Sequence, residues 1–496
     1  MNPIARECEV AVIGGGPAGA AVARLLSLWG RDVVLITAPS DPARDLAVSL
    51  PPSVAKLLAE IGLLDAVDAA GFIRSTGNTV WWGDKEPRSR AFAGGAAGYQ
   101  VRHRDFDRVL LSAAEAAGAT VIRDATVRAA DVESEPARLT GEVDGVPFEV
   151  VAAMVLDASG RQGVVAKARG LRVEGGTRTI ALAGTWRRAG GWEVPDDSHT
   201  LVESFTDGWA WSVPVEPGLR YFTCMLDPRV SEAATGDLGE RYMASLGRAA
   251  CFGRLLQGAT MDSDPWGCDA SGYHAESVAG DRFLLVGDAA SSIDPLSSFG
   301  VKKALGSAWL AAIVSNTVLS DAGLADAARS IFEDHERRVY ETFRRQAAGF
   351  FDQVAADEEH AFWTGRAERH EEFPGEPDIA RFRDDPSVLA AFEALKASSS
   401  IRLVVTPQTE VIQSAVIGDR KIVLEDHLAT PSVPEGLRFL RGVDVRRIVD
   451  LAGEHDQVPD LFESYNGACP PVPLPDFLGA LSVLLAKDVL RNDAVC

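Results

Sequence analysis

Only six of the 496 residues are cysteine (Cys8, Cys224, Cys251, Cys268, Cys469, Cys496), and they form no C-x-x-C pair or short ligand-type spacing. That argues against a disulfide framework and predicts no metal site. Positive charge is also in short supply. Forty-nine Lys and Arg stand against 71 Asp and Glu, a formal charge of −22. A nucleic-acid binder needs a basic stripe to displace counterions, and an anionic membrane attracts basic segments. Neither partner is expected. Long apolar runs are missing too: the best candidate, Ala308 to Leu319, is broken by Ser315 and Asn316 and falls short of the ~20 residues a membrane span needs. Met1 leads into an apolar strand without a basic leader or cleavage site, so a soluble, cytoplasmic protein is expected.

What is present reads as an ordinary globular chain, 46% hydrophobic and 24% charged. Glu9 to Ile13 (EVAVI) fits a buried parallel strand, Ala18 to Trp29 a helix, and Asp32 to Thr37 a second strand, together one βαβ unit. Helical periodicity returns at Ser53 to Ala70 and Phe106 to Ala117, and Thr140 to Leu156 alternates like sheet. Short strands rich in Trp, Thr, Val and Phe between Thr177 and Leu226 predict an inserted antiparallel sheet. The dinucleotide type resumes at Arg282 to Val286, followed by a helix near Val301 to Leu319. Ile331 to Arg369 reads as helical, Pro374 to Pro386 as a linker, and the tail beyond it as mixed.

The expected fold is therefore α/β: a Rossmann-type domain with an inserted antiparallel β-sheet substrate domain and a helical C-terminal region. Its expected segments are 1–175 (with a substrate-side stretch at 70–100), 176–275, 276–330 and a helical or mixed 331–496.

The first chemical signal is Gly14-Gly15-Gly16-Pro17-Ala18-Gly19, a G-x-G-x-x-G turn between strand and helix. Gly14 permits the tight turn, Gly16 lets backbone approach a pyrophosphate, and Gly19 allows close helix–strand packing. The helix N-terminus supplies N–H donors and positive dipole for phosphate. The plainer alternative is tight packing alone. The acidic residue expected at the end of the second strand is missing; Thr37 and Asp41 are the candidates for the adenosine ribose.

The second signal is Gly287-Asp288-Ala289-Ala290 followed by Asp294-Pro295 and Gly300. With the N-terminal loop and Asp157-Ala158-Ser159-Gly160, this order resembles the FAD-dependent monooxygenase and flavin-dependent halogenase superfamily. The resemblance implies FAD, with Asp157 and Gly160 in the middle motif and Gly287 and Asp288 at the ribityl chain. Pro295, Ser298, Phe299, Gly300 and Val301 are implied near the pyrimidine edge, where a helix N-terminus stabilises an anionic reduced flavin.

DASGRQGVVAKARGL (Asp157 to Leu171) is more similar to halogenases and their two-component relatives than to NADPH-binding hydroxylases. Reduced flavin from a separate reductase is implied. Trp209-Ala210-Trp211-Ser212-Val213-Pro214 matches the halogenase W-x-W-x-[I/V]-P pattern. Alternate strand residues share a face, so the two indoles either line a wall or form a core pair. The lysine that such halogenases use before a Trp-Gly pair is replaced: SerThrGlyAsnThrValTrpTrpGly, residues 75–83, places Ser75 there, and Lys85 lies ten residues on.

GNTVWWG and Leu50-Pro51-Pro52-Ser53 resemble halogenase-related enzymes that hydroxylate a peptidyl tryptophan in tryptophylquinone biogenesis. Val48 departs from the glutamate common there. In Tyr99-Gln100-Val101-Arg102-His103-Arg104-Asp105-Phe106-Asp107, His103 occupies the position of a flavin-contacting arginine. Arg102 and Arg104 are its candidate substitutes. The resemblance thus implies hydroxylation of an electron-rich aromatic, free, peptidyl or on a carrier protein, through a flavin C4a-hydroperoxide. Trp82, Trp209 and Trp211 are expected along the substrate channel, with Ser75 at the lysine position and His103 or Asn78 as a modest base. Phe350, Phe351, Phe362, Trp363 and Arg366 resemble helices that close over the substrate. Aromatic halogenation is the first alternative, and a flavin dehydrogenase or reductase the second.

Overall fold

The computed structural model describes residues 4–83, 87–231, 236–367, 382 and 385–494. The chain divides into two compact units, residues 1–369 and 370–496.

The first unit opens with β1 (Ile4–Ile13), α1 (Pro17–Leu28) and β2 (Val33–Ile36). Every residue of β2 is buried, which is why this strand reads as an unbroken Val-Val-Leu-Ile run rather than an alternation. In α1, small residues from Ala18 to Ala23 are all buried and allow close approach to the sheet. The helical pattern at 53–70 resolves into two short helices, Val54–Glu60 and Leu64–Ala69. Gly62 interrupts them at φ 70°.

Further on come β3 (Ala47–Leu50), β4 (Ile73–Ser75), β5 (Gly77–Trp81), β6 (Gly98–Arg102), α2 (His103–Ala116) and β7 (Thr120–Ile122). The alternating stretch at 140–156 is a hairpin, Ala137–Val143 against β8 (Val146–Asp157). The inserted sheet supplies β9 (Ile180–Arg187), β10 (Thr200–Phe205), β11 (Gly208–Glu216) and β12 (Leu219–Leu226). β13 (Phe283–Leu285), α3 (Gly300–Ser320) and α4 (Ala325–Ala355) complete the main elements of this unit.

In the first sheet β13, β8, β1, β2 and β7 lie side by side in that order, all parallel. In the second, β9, β12, β11 and β10 run antiparallel, and β5 joins β10 in parallel with Thr200 opposite Asn78. A third sheet pairs β6 with β3 and β4.

The second unit contains α5 (Pro386–Ala397) and an antiparallel sheet of β14 (Glu410–Ile417), β15 (Ile422–Thr430) and β16 (Val433–Leu437). Three helices follow, α6 (Val445–Ala452), α7 (Val458–Ala468) and α8 (Leu474–Ala486). They share their own apolar core, in which Val433, Val445, Ile448, Leu461, Phe477 and Leu481 are fully buried. Asp385 caps α5 through the Ser387 N–H and pairs with Lys487, which holds its carboxyl well below the usual range. Most of the linker expected at 374–386 lies outside the described residues.

Candidate functional site

Strands β1, β8 and β13 end together: Ile13 is opposite Asp157, and Asp157 is opposite Leu285. The carboxyl ends of parallel strands are where α/β sheets bind ligands. The turns leaving these three strands open on one cavity of about 510 Å³, within the ~300–1,000 Å³ typical of ligand sites.

Gly14, Gly16, Pro17 and Ala18 line the cavity. Gly14 has φ 105°, and a Cβ there would stand 2.3 Å from the Ala158 carbonyl oxygen, so only glycine fits. A Cβ at Gly19 would stand 1.8 Å from the Gly14 oxygen, which makes this glycine a packing residue rather than part of the wall. Gly16 caps α1 with extended backbone and no side-chain acceptor, leaving first-turn N–H groups for an anion. Thr37 is on the wall. Asp41 instead accepts the Ala43 N–H and pairs with Arg44, and it does not reach the cavity.

The middle turn is built by Asp157, which is fully buried and accepts from the Ser159 N–H and hydroxyl and from the Val165 N–H. Burial pushes its pKa up against those bonds. Asp157 shapes the turn while Gly160 lines the cavity. So does Arg161, which pattern reading passes over. It donates to the Ser292 hydroxyl (2.5 Å) and the Ser271 carbonyl (2.7 Å), with Asp269 at 3.6 Å.

In the late turn, Gly287 adopts φ 65° and Asp288 lines the cavity. The Asp288 carboxylate lies 3.4 Å from the Lys303 ammonium, whose side chain is wholly buried. Lys303 also donates to the Gly287 carbonyl and the Ser291 hydroxyl, both at 3.1 Å. Near it, Glu336 on α4 is buried. Burial, only partly offset by the charge of Lys303 and a hydrogen bond from Ser307, pushes its pKa up to about 7. Burial likewise pushes Asp294 up to about 6, although it accepts the Leu296 N–H. Pro295, Ser298, Gly300 and Val301 line the wall. Phe299 does not; its ring packs on Phe343 with centroids 5.1 Å apart.

Trp209 and Trp211 stack 5.1 Å apart at an interplanar angle of 30°, and both line the cavity. Trp82 lies outside the wall, because its indole N–H is held by the Phe350 carbonyl and its ring meets Trp209 and Trp363 edge-on. Phe351, Phe362 and Trp363 join this aromatic core. Arg366 binds the Arg178 carbonyl, Thr179 hydroxyl and Asp227. Neither these aromatic residues nor Arg366 lines the cavity.

Ser75 is completely buried and donates to the Gly77 carbonyl, and Asn78 sits within β5; neither lines the cavity. Lys85 lies outside the described residues. Arg102 is paired with Glu216 at 2.6 Å, and neither Arg102 nor Arg104 is on the wall. His103 is, with its Nδ1 3.6 Å from Asp107. Burial works against its protonation, but the hydrogen bond and charge of Asp107, with Asp45 and Asp288, hold its pKa above the ordinary value.

A dinucleotide fits this cradle. The uncapped α1 N-terminus offers donors, and a Cβ at Gly160 or Gly300 would meet nothing within 4 Å, so backbone is open to a ligand there. Residues 7–325 match the family described as FAD binding domain. The chain is 30% identical over 385 residues to the tryptophan 2-halogenase of Chondromyces crocatus, covering 73% of this chain and 71% of that protein. Its fold is similar to CmlS, a flavin-dependent halogenase, with a TM-score of 0.75, 24% identity and coverage of 98% and 96%. It is also similar to QhpG, a peptidyl tryptophan dihydroxylase, with a TM-score of 0.68, 22% identity and coverage of 98% and 100%. FAD is the cofactor, Asp288 and Gly16 face one cavity, and the chain belongs to the flavin-dependent halogenase family of FAD-binding proteins.

Proposed function

We propose that the protein halogenates an electron-rich aromatic ring held against Trp209 and Trp211. The observation that carries this reading is their stacked pair on the wall of the same cavity as the cofactor turns. The residues alone put oxygen transfer first. Identity to a tryptophan halogenase over 73% of the chain supports the reverse order.

Bound reduced FAD supplies the oxygen-activating chemistry, and a separate reductase supplies the reduced flavin. Gly14, Gly16, Pro17, Ala18 and Thr37 hold its nucleotide half, and Gly160 and Asp288 hold the middle. Pro295, Ser298, Gly300 and Val301 contact the ring end. Asp157 and Lys303 act indirectly by fixing the two turns. The two indoles exclude water and orient the substrate ring by its flat face.

Hydroxylation is the second reading. It is favoured by Ser75, buried at the lysine position, and by the lack of any lysine on the cavity wall among the described residues. The test feeds reduced FAD, bromide or chloride, labelled oxygen and tryptophan, an indole, a tryptophan peptide or a carrier-bound aromatic. Product carrying halide supports the first reading. Product carrying labelled oxygen and no halide replaces it with the second.

A further inference from the structure

The α1 end of the cavity has a charge problem. An FAD diphosphate is doubly anionic, and the α1 N-terminus attracts it through unpaired N–H groups. Yet among the described residues the acidic side chains on the wall are Asp107, Asp269 and Asp288, against His103 and Arg161 as bases. Asp107 stands at the helix end itself: a Cβ built on Gly16 would lie 4.0 Å from its Oδ2. Unless offset, that carboxylate repels whatever anion α1 attracts.

Arg161 is committed elsewhere, to Ser292 and Ser271 with Asp269 beside it. His103 begins α2, one turn before Asp107, with Nδ1 3.6 Å from the same Oδ2 that faces Gly16. Its side chain is 36% exposed and lies on the cavity wall. The flanking arginines do not reach this wall.

We propose that His103, as an imidazolium, is the cationic contact for the FAD diphosphate at the α1 N-terminus, so that cofactor affinity falls as the histidine loses its proton. Three carboxylates face the ring. Asp107 comes from its own helix, Asp45 from the segment before β3, and Asp288 from the late turn. Each favours the protonated ring, and the diphosphate adds to them, so binding and proton uptake are coupled. An arginine here would hold FAD at any pH; a histidine makes retention conditional. This holds whichever group the enzyme transfers.

The test titrates oxidised FAD into apoprotein between pH 6 and 8.5, following flavin fluorescence, with calorimetry in two buffers of different ionisation enthalpy to count protons. For the wild type, Kd is level at the acid end and rises by ~10-fold or more towards pH 8.5, with proton uptake on binding. H103Q binds ~10-fold more weakly at pH 6 with a flat profile, and H103R binds tightly throughout. A wild-type Kd that does not change with pH overturns the proposal without needing any variant. So does a folded H103Q protein, checked by thermal melting, that keeps the wild-type profile.

Discussion

The ammonium of Lys303 lies 3.4 Å from the carboxylate of Asp288, in a position where the lysine side chain has no solvent exposure. One buried cation thus fixes both the backbone of the late turn, through Gly287, and the side chain that this turn presents to the cavity. Lys303→Met keeps the bulk but removes the cation beside the buried side of Asp288 and the donor to the Ser291 hydroxyl, at about 1–3 kcal/mol. FAD affinity measured by fluorescence quenching is expected to fall ~10-fold or more, the equivalent of at least about 1.4 kcal/mol.

Glu336 makes stability pH-dependent. Its carboxyl, ordinarily near 4.5, titrates at about 7 in the folded protein because it is buried. Between those values the folded state binds a proton that the unfolded state does not, so this group costs stability as pH rises through the window. Glu336→Gln is therefore expected to match wild type in thermal melting at pH 4.5 and to exceed it at pH 8, by up to about 3 kcal/mol. Equal melting temperatures at pH 8 would contradict the burial argument.

Gly19 has no room for a methyl group, since a Cβ would overlap the Gly14 carbonyl oxygen. Gly19→Ala must push α1 off the sheet, at about 1–3 kcal/mol or more. Because the same shift displaces the α1 N-terminus, loss of FAD binding should exceed what the melting temperature alone reports. Parallel thermal melts and flavin titrations check this.

The two cavity tryptophans should separate by substitution. Trp209 is 1% exposed, stacks on Trp211 and meets Trp82 edge-on, so Trp209→Ala is expected to cost about 3–5 kcal/mol. Trp211 is only partly buried. Trp211→Ala should spare most of the stability and FAD affinity while raising KM for the aromatic substrate. Denaturant melts and steady-state kinetics with one substrate distinguish the two.

Part of this was legible in the residues. The βαβ unit and its glycine turn are local in sequence, so strand, turn and helix signals reinforce one another there. The Trp209–Trp211 pair follows from strand alternation alone. Other features depend on contacts between distant segments. Nothing near Asn78 announces that β5 will pair with β10 more than a hundred residues later. No motif marks Lys303, yet its side chain is wholly buried because its partners come from the turn before its own helix. Arginines 102 and 104 match a familiar pattern, but Glu216, on a strand of the inserted sheet, claims Arg102. Trp82 looks like a channel residue until the Phe350 carbonyl, distant in sequence, is seen to hold it. The tail carries no motif, so its separate core became visible only in three dimensions.

The residues around the cofactor cavity run from Ile13 to Ala304, and the central sheet takes β13 only after the inserted sheet has been made. A ribosome releasing this chain therefore exposes a half-built nucleotide cradle for most of its transit. Flavin cannot serve as an early template for the N-terminal half. Loading waits until the chain has been made past Ala304, and truncation anywhere before residue 300 should yield protein that never turns yellow.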